Sequence, residues 1–177
     1  MDGVYGPNTA AALDKEIAEV KKSKLNVTQK QFLENAKLIA QENKKNGFSY
    51  GSSACLPSVY SKDKVTSCDR YVNQVLYKSG LKNIGNRAVE SLSSYLETTI
   101  KAVKIDDINQ IAAGDIVFLS GHVFIVGNKK DNNNYERYDA GSADRIRLQN
   151  QYSKYDSQPF IEPINGFKYA LRLPFVQ

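Results

Sequence analysis

Residues that bind metals or form cross-links are scarce in this 177-residue chain, which has two cysteines, one histidine and no tryptophan. Two cysteines and one histidine show no recognisable zinc-site spacing, so we expect no metal and no organic cofactor. Cys55 and Cys68 are near enough in sequence to form one disulfide, but nothing else suggests a disulfide framework. We therefore expect free thiols.

Long apolar runs are also missing. No stretch of about 18 apolar residues exists, so we expect no transmembrane helix, and the N-terminus lacks the basic and apolar segments of a signal peptide. An apolar content of 41% at this length predicts a folded chain. The net charge of +5 favours an acidic partner: nucleic acid, a membrane surface or an anionic cell wall. The eleven tyrosines are scattered and no basic cluster is interleaved with aromatics, so we expect no nucleic-acid binding.

Residues 67–80, SCDRYVNQVLYKSG, place a cysteine where a helix is predicted to begin. Ser67 is suited to the N-cap and Gly80 to the end of the helix. The spacing puts the thiol on the same helix face as the apolar residues, which are Tyr71, Val72, Val75 and Leu76. The positive end of the helix dipole favours a thiolate at such a position, as a nucleophile requires. The alternative is that Cys68 is a buried small hydrophobe.

A cysteine nucleophile needs a base, and His122 is the one histidine in the chain. It lies between two apolar runs, IVFL and HVFIV, which predict the strands of a hairpin joined at Ser120 and Gly121. The alternative is a structural histidine. Its position at a strand start, opposite a cysteine at a helix start, favours catalysis.

Asp139 ends a third predicted strand, YERYD, after a polar turn at residues 128–134. Because residues 122 and 139 are nearly symmetric about this turn, we expect them at matching levels on adjacent strands. A carboxylate there would hold the imidazole in the correct tautomer. The alternative is an aspartate that serves a turn or a salt bridge.

The remaining elements complete an α+β arrangement. Helices are predicted from Thr28 to residues 46–47 and over residues 89–100, and a further strand in the tail FKYALRLPFV. Both apolar strands of the hairpin are predicted at the centre of an antiparallel sheet covered by helices. Tyr50 lies in the Ser-, Gly- and Tyr-rich loop before Cys68, where it is either a substrate-groove or a packing residue.

Four features follow one another in this chain: a cysteine at a helix start, a Gly-Asp before an apolar strand, a histidine that opens the next strand, and a polar residue on the strand after it. Together they resemble the NlpC-type cell-wall cysteine peptidases and their CHAP relatives. The resemblance covers about residues 28–175. It implies a papain-like fold with Cys68 as nucleophile, His122 as base, Asp139 as third residue and Tyr50 on the substrate side. NlpC-type enzymes usually carry Asp-Cys-Ser, whereas this chain carries Ser67-Cys68-Asp69, so we count Ser67 and Asp69 as substrate-binding candidates.

The resemblance implies a peptidoglycan hydrolase, of endolysin or autolysin type, that cuts a stem-peptide amide bond through a thioester. Alternatives are an N-acetylmuramoyl-L-alanine amidase, a transferase or deamidase with a non-wall acyl substrate, and a catalytically silent wall-binding module. We expect a monomer that acts at the cell wall, outside the cell, after secretion or delivery by a phage.

Residues 2–13, DGVYGPNTAAAL, resemble the closing segment of the small helical peptidoglycan-binding repeat. The matching residues are Asp2, Gly3, Tyr5, Gly6, Pro7 and Thr9. The alternative is an ordinary turn and helix. We accordingly divide the chain into residues 1–25, a repeat remnant with linker, and residues 26–177, the catalytic domain.

Overall fold

A computed structural model describes residues 25–50, 65–131, 134–140 and 160–177. The predicted repeat remnant, except for Leu25, and the loop that carries Cys55 lie outside these residues. The described helices are α1 (Gln29–Lys45), α2 (Cys68–Lys78) and α3 (Val89–Thr98), with one 3-10 turn at Ile108–Gln110. All three α-helices were predicted from the sequence. None of them is long and apolar enough to cross a membrane.

Six strands form the main sheet, and every neighbouring pair is antiparallel. They are β3 (Val103–Ile105), β4 (Ile116–Leu119), β5 (His122–Lys129), β6 (Asn134–Tyr138), β7 (Phe160–Pro163) and β8 (Tyr169–Arg172), in the spatial order β3-β8-β4-β5-β6-β7. A separate pair, β1 (Ser49–Tyr50) and β2 (Val65–Thr66), is parallel. The fold is therefore α+β, and the apolar hairpin β4–β5 is central, as predicted.

The sheet buries side chains on both faces. Alternate residues of the central hairpin, such as Phe118 and Ile125, pack in one core with all three helices. The intervening residues, such as Val117 and Phe124, form a second core on the opposite face. In the described part of the chain, loop residues around Ile108 and Phe167 cover this second core, so the helices cover one face and not both.

The start of α1 and the end of α2 follow from local sequence. At the start of α1, the backbone N–H of Thr28 donates to Gln31 Oε1 at 2.9 Å and the Gln31 N–H donates back to Thr28 Oγ1 at 3.2 Å, which is a capping box. At the end of α2, Gly80 has a φ of 109°. Its N–H bonds the Tyr77 carbonyl, and the Leu81 N–H bonds the Leu76 carbonyl, in the Schellman arrangement.

Helix α2 is buried on more than the predicted apolar face. Arg70, Asn73 and Gln74 are fully buried as well. Gln74 accepts a hydrogen bond from Asn43 of α1 at 2.8 Å, Asn73 donates to the Arg87 carbonyl at 2.7 Å, and Arg70 donates to the Val65 carbonyl. These bonds to surrounding segments offset part of the cost of burying the polar groups, although Asn73 Oδ1 has no hydrogen-bond partner among the described residues.

The register of β5 and β6 differs from the prediction. Ile125 pairs with Tyr138, so the position opposite Asp139 is that of Phe124, two residues from His122. Lys129 pairs with Tyr135, so the hairpin closes further along the chain than the midpoint of residues 122 and 139, and the bulge between Val126 and Lys129 shifts the register by only one residue. Gly127 lies in this bulge, where a Cβ atom would be 2.7 Å from Glu136 Cβ. The predicted matching level of residues 122 and 139 is therefore wrong, although both remain on one sheet face.

Candidate active site

The N-terminus of α2 places the thiol. β2 leads into Ser67, whose extended backbone (φ −140°, ψ 176°) starts the helix with Cys68 as its first residue. Ser67 occupies the predicted N-cap position, but its side chain forms no cap hydrogen bond. The hydroxyl instead donates to the Asp69 carboxylate. Cys68 carries a free thiol and is 6% exposed.

The first residue of β5 is His122, the predicted base. Leu119 pairs with His122 across the two-residue connection, in which Gly121 has a φ of 73°. This turn fixes His122 at the strand start, with 19% of its side chain exposed. Alternation along the strand places the imidazole on the face of Phe124, and the two ring centroids are 6.2 Å apart.

His122 lies between the thiol and a carboxylate. Its Nε2 is 2.9 Å from Asp139 Oδ2, and its imidazole also hydrogen-bonds Cys68. Because Nε2 faces the carboxylate, Nδ1 is the nitrogen left for the thiol. Burial of the ring favours its neutral form. The hydrogen bonds and charges of Asp139 and Cys68 outweigh that burial and raise the pKa of His122 to about 9. The structure thus brings together the three predicted catalytic residues.

Asp139 is 5% exposed and has a second cationic neighbour. Arg137 Nη2 donates to the same Oδ2 atom, also at 2.9 Å. Burial alone would raise the pKa of Asp139, but the hydrogen bond from His122 and the charge of Arg137 hold it below its ordinary value. The carboxylate is therefore ionised at neutral pH and can stabilise an imidazolium.

The substrate-side candidates lie on β1 and at the start of α2. Asp69 is buried, and its Oδ1 accepts from Ser67 and, at 2.8 Å, from the Arg70 backbone N–H. The backbone of Tyr50 pairs with Thr66, two residues before Cys68. The contacts described for these residues include none with His122 or Asp139. Their roles in substrate binding stay predictions.

Arg137 was missed by the sequence analysis. The signal was present in ERYD, since strand alternation puts residues 137 and 139 on one face. The Gly-Asp turn also has a role that its sequence did not reveal. Asp115 accepts Arg172 Nε on Oδ1 at 3.0 Å and Nη2 on Oδ2 at 2.8 Å, and thereby joins the start of β4 to the end of β8.

Among the described residues, no group of three or more His, Cys, Asp or Glu side chains could hold a metal ion. Comparison with protein-family models, curated proteins and solved structures finds no match to this chain. The functional argument therefore rests on the site and on the sequence motifs.

Proposed function

We propose that this protein is a cysteine peptidase of the bacterial cell wall that cuts an amide bond in the peptidoglycan stem peptide. The observation that carries the chemistry is the Cys68–His122–Asp139 arrangement, in which one imidazole contacts both a free thiol and a buried carboxylate. The motif resemblance supports the substrate and the papain-like form of the α+β fold. The net charge of +5 suits anionic wall polymers and predicts salt-sensitive encounter rates.

Acyl transfer to sulfur is the proposed reaction. The Cys68 thiolate attacks the amide carbonyl carbon and forms a C–S bond, and the His122 imidazolium protonates the leaving amine as the C–N bond breaks. Neutral His122 then takes a proton from water, the resulting hydroxide displaces the thiolate from the thioester, and a carboxylate is released. The Cys68 backbone N–H, with Tyr50 as a second candidate donor, would stabilise the oxyanion. Asp139 holds the ring orientation throughout.

Digestion of purified peptidoglycan tests this proposal. The native protein and the Cys55→Ala variant should release fragments, whereas Cys68→Ala should release none, since Cys68 is the proposed nucleophile beside His122. The Cys55→Ala variant is the matched control because it removes the other thiol of the chain. Mass spectrometry of the new ends identifies the bond. Free stem-peptide termini support the endopeptidase, and an N-terminal L-alanine with intact muramic acid would instead show the amidase.

If Cys68 reacts but no wall fragments are released, the proposed substrate is wrong and the proposed thiol chemistry still stands. The native protein should be alkylated by iodoacetamide at Cys68 at neutral pH. Rapid alkylation with no released fragments indicates another acyl substrate. No alkylation of folded protein indicates a silent binding module and contradicts the enzyme proposal.

A further inference from the structure

Arg137 completes a ring of four contacts with Asp139, His122 and Phe124. Its guanidinium carbon lies 4.2 Å from the centroid of the Phe124 ring, and its Nη2 lies 2.9 Å from Asp139 Oδ2. Phe124 in turn contacts His122, which reaches the same Oδ2 from the other side. These four residues share one sheet face by strand alternation, since Arg137 pairs directly with Val126.

Two cations therefore share one carboxylate oxygen, and only one of them titrates. Arginine stays charged at every pH at which the protein is folded, whereas His122 alternates between imidazolium and imidazole during acyl transfer. When His122 is neutral, Arg137 still donates to the buried Asp139 carboxylate. Loss of this charge would make the ionised carboxylate more costly and would strengthen its hold on the imidazole proton.

We propose that Arg137 is a positioning residue that shares Asp139 with His122, keeps the carboxylate ionised and in place through both halves of the reaction, and limits how tightly it holds the proton on the imidazole. The inference rests on the proposed function for its catalytic meaning. The effect of Arg137 on the titration of His122 does not depend on which substrate is cleaved.

The contacts define which groups must be considered. Among the described residues, the charged or titratable groups acting on the imidazole are Cys68 from α2 and Asp139 after β6. Those acting on the Asp139 carboxylate are His122 from β5 and Arg137 from β6. Replacement of Arg137 changes one of these groups and leaves the other three.

The test is an NMR titration of His122, whose signals are unambiguous because the chain contains one histidine, provided that no histidine tag is present. Arg137→Met keeps the length and apolar stem of the side chain but removes its charge. We expect the imidazole midpoint to rise by about 1 pH unit. Arg137→Lys retains the charge and should titrate within a few tenths of a unit of the native protein. Lys129→Met, which removes a charge from the far end of β5, is the matched control for net charge.

An unchanged midpoint in Arg137→Met, or an equal shift in Lys129→Met, overturns the proposal. If Arg137→Met does not fold, the native protein provides the second measurement. Its Arg137 guanidinium signals should move with the same midpoint as the imidazole, because both groups bond one oxygen, and independent behaviour contradicts the inference.

In a cleavage assay, Arg137→Met should lower kcat more than it changes KM, and higher pH should restore part of the loss. A shifted midpoint in a protein that cleaves no peptidoglycan would keep the inference and overturn only the proposed function.

Discussion

Asp115 and Asp139 are two buried aspartates on one sheet, and each binds an arginine from a strand of that sheet. Asp115 is 1% exposed and engages Arg172 through both of its oxygens, and it also accepts the Ala112 N–H at 2.7 Å. Asp139 offers a single oxygen to both Arg137 and His122. The first aspartate has only permanent donors among these contacts. The second has one partner that can lose its proton.

This difference separates a residue of the fold from a residue of the site. A bidentate pair closed by a backbone N–H holds the carboxylate through fixed donors, so it fixes where two strands meet. A carboxylate shared with an imidazole changes its environment whenever the imidazole titrates. Burial and an arginine partner therefore do not identify a catalytic aspartate. The proximity of a titrating group does.

The comparison predicts its largest effect for Asp139→Asn. An amide keeps the size of the side chain but cannot stabilise an imidazolium, and it favours the wrong tautomer of His122. We expect kcat for wall cleavage to fall by about 10⁴-fold while the circular dichroism spectrum is retained. The imidazole midpoint should also fall. A loss smaller than about tenfold with folded protein would show that Asp139 is a salt-bridge residue, the alternative that its sequence context left open.

Asp115→Asn should have the opposite effects, with lower stability and an unchanged site. Removal of this charge leaves Arg172, whose side chain is 39% exposed, without its bidentate partner and should lower the free energy of unfolding by about 2 kcal/mol. Urea unfolding measures this change. Without urea, Cys68 of the folded variant should be alkylated at the native rate, since Asp115 has no described contact with the triad. A stable variant with a slow thiol would reverse the assignment of the two aspartates.

The third prediction concerns pH. The pKa of His122 is raised from 6.5 to about 9 on folding, so its contribution to stability is fully present below pH 6.5 and is lost as pH rises through 9. With a discount for partial exposure of the ring, we expect a loss of about 2 kcal/mol across this range. Cleavage should also decline above about pH 9 as the imidazolium disappears. Urea midpoints of the native protein and Asp139→Asn at pH 6.5 and 9.5 measure this term, which should be much smaller in the variant.

The sequence predicted the local features of the site well. Cys68 at a helix start and His122 after a tight turn depend on capping residues, glycine and apolar periodicity, all of which act over a few residues. The central position of the hairpin followed from its fully apolar strands. These properties are encoded where they occur, so a single sequence is enough to find them.

Features set by distant segments were not accessible in the same way. The β5–β6 register differs by two residues from the predicted one, and no turn signal at residues 128–134 indicated where the hairpin closes or that a bulge interrupts β5 at Gly127. The short edge strand β3 showed no pattern. Gln74 looked like a solvent-facing helix residue, and its burial depends on Asn43, 31 positions away. Arg137, by contrast, was overlooked although strand alternation within ERYD places it on the face of Asp139.

The strand order also constrains when the protein can fold. Strand β8 lies between β3 and β4 and so joins residues near 170 to residues near 104 and 117. During synthesis, helix α2 and the β4–β5 hairpin leave the ribosome well before this strand does, and β4 has an open edge until it arrives. Completion of the sheet therefore waits for β8 and requires long loop closures, which predicts slow folding. Cys68 is made early, but the sheet that holds His122 opposite it is completed only when β8 is inserted.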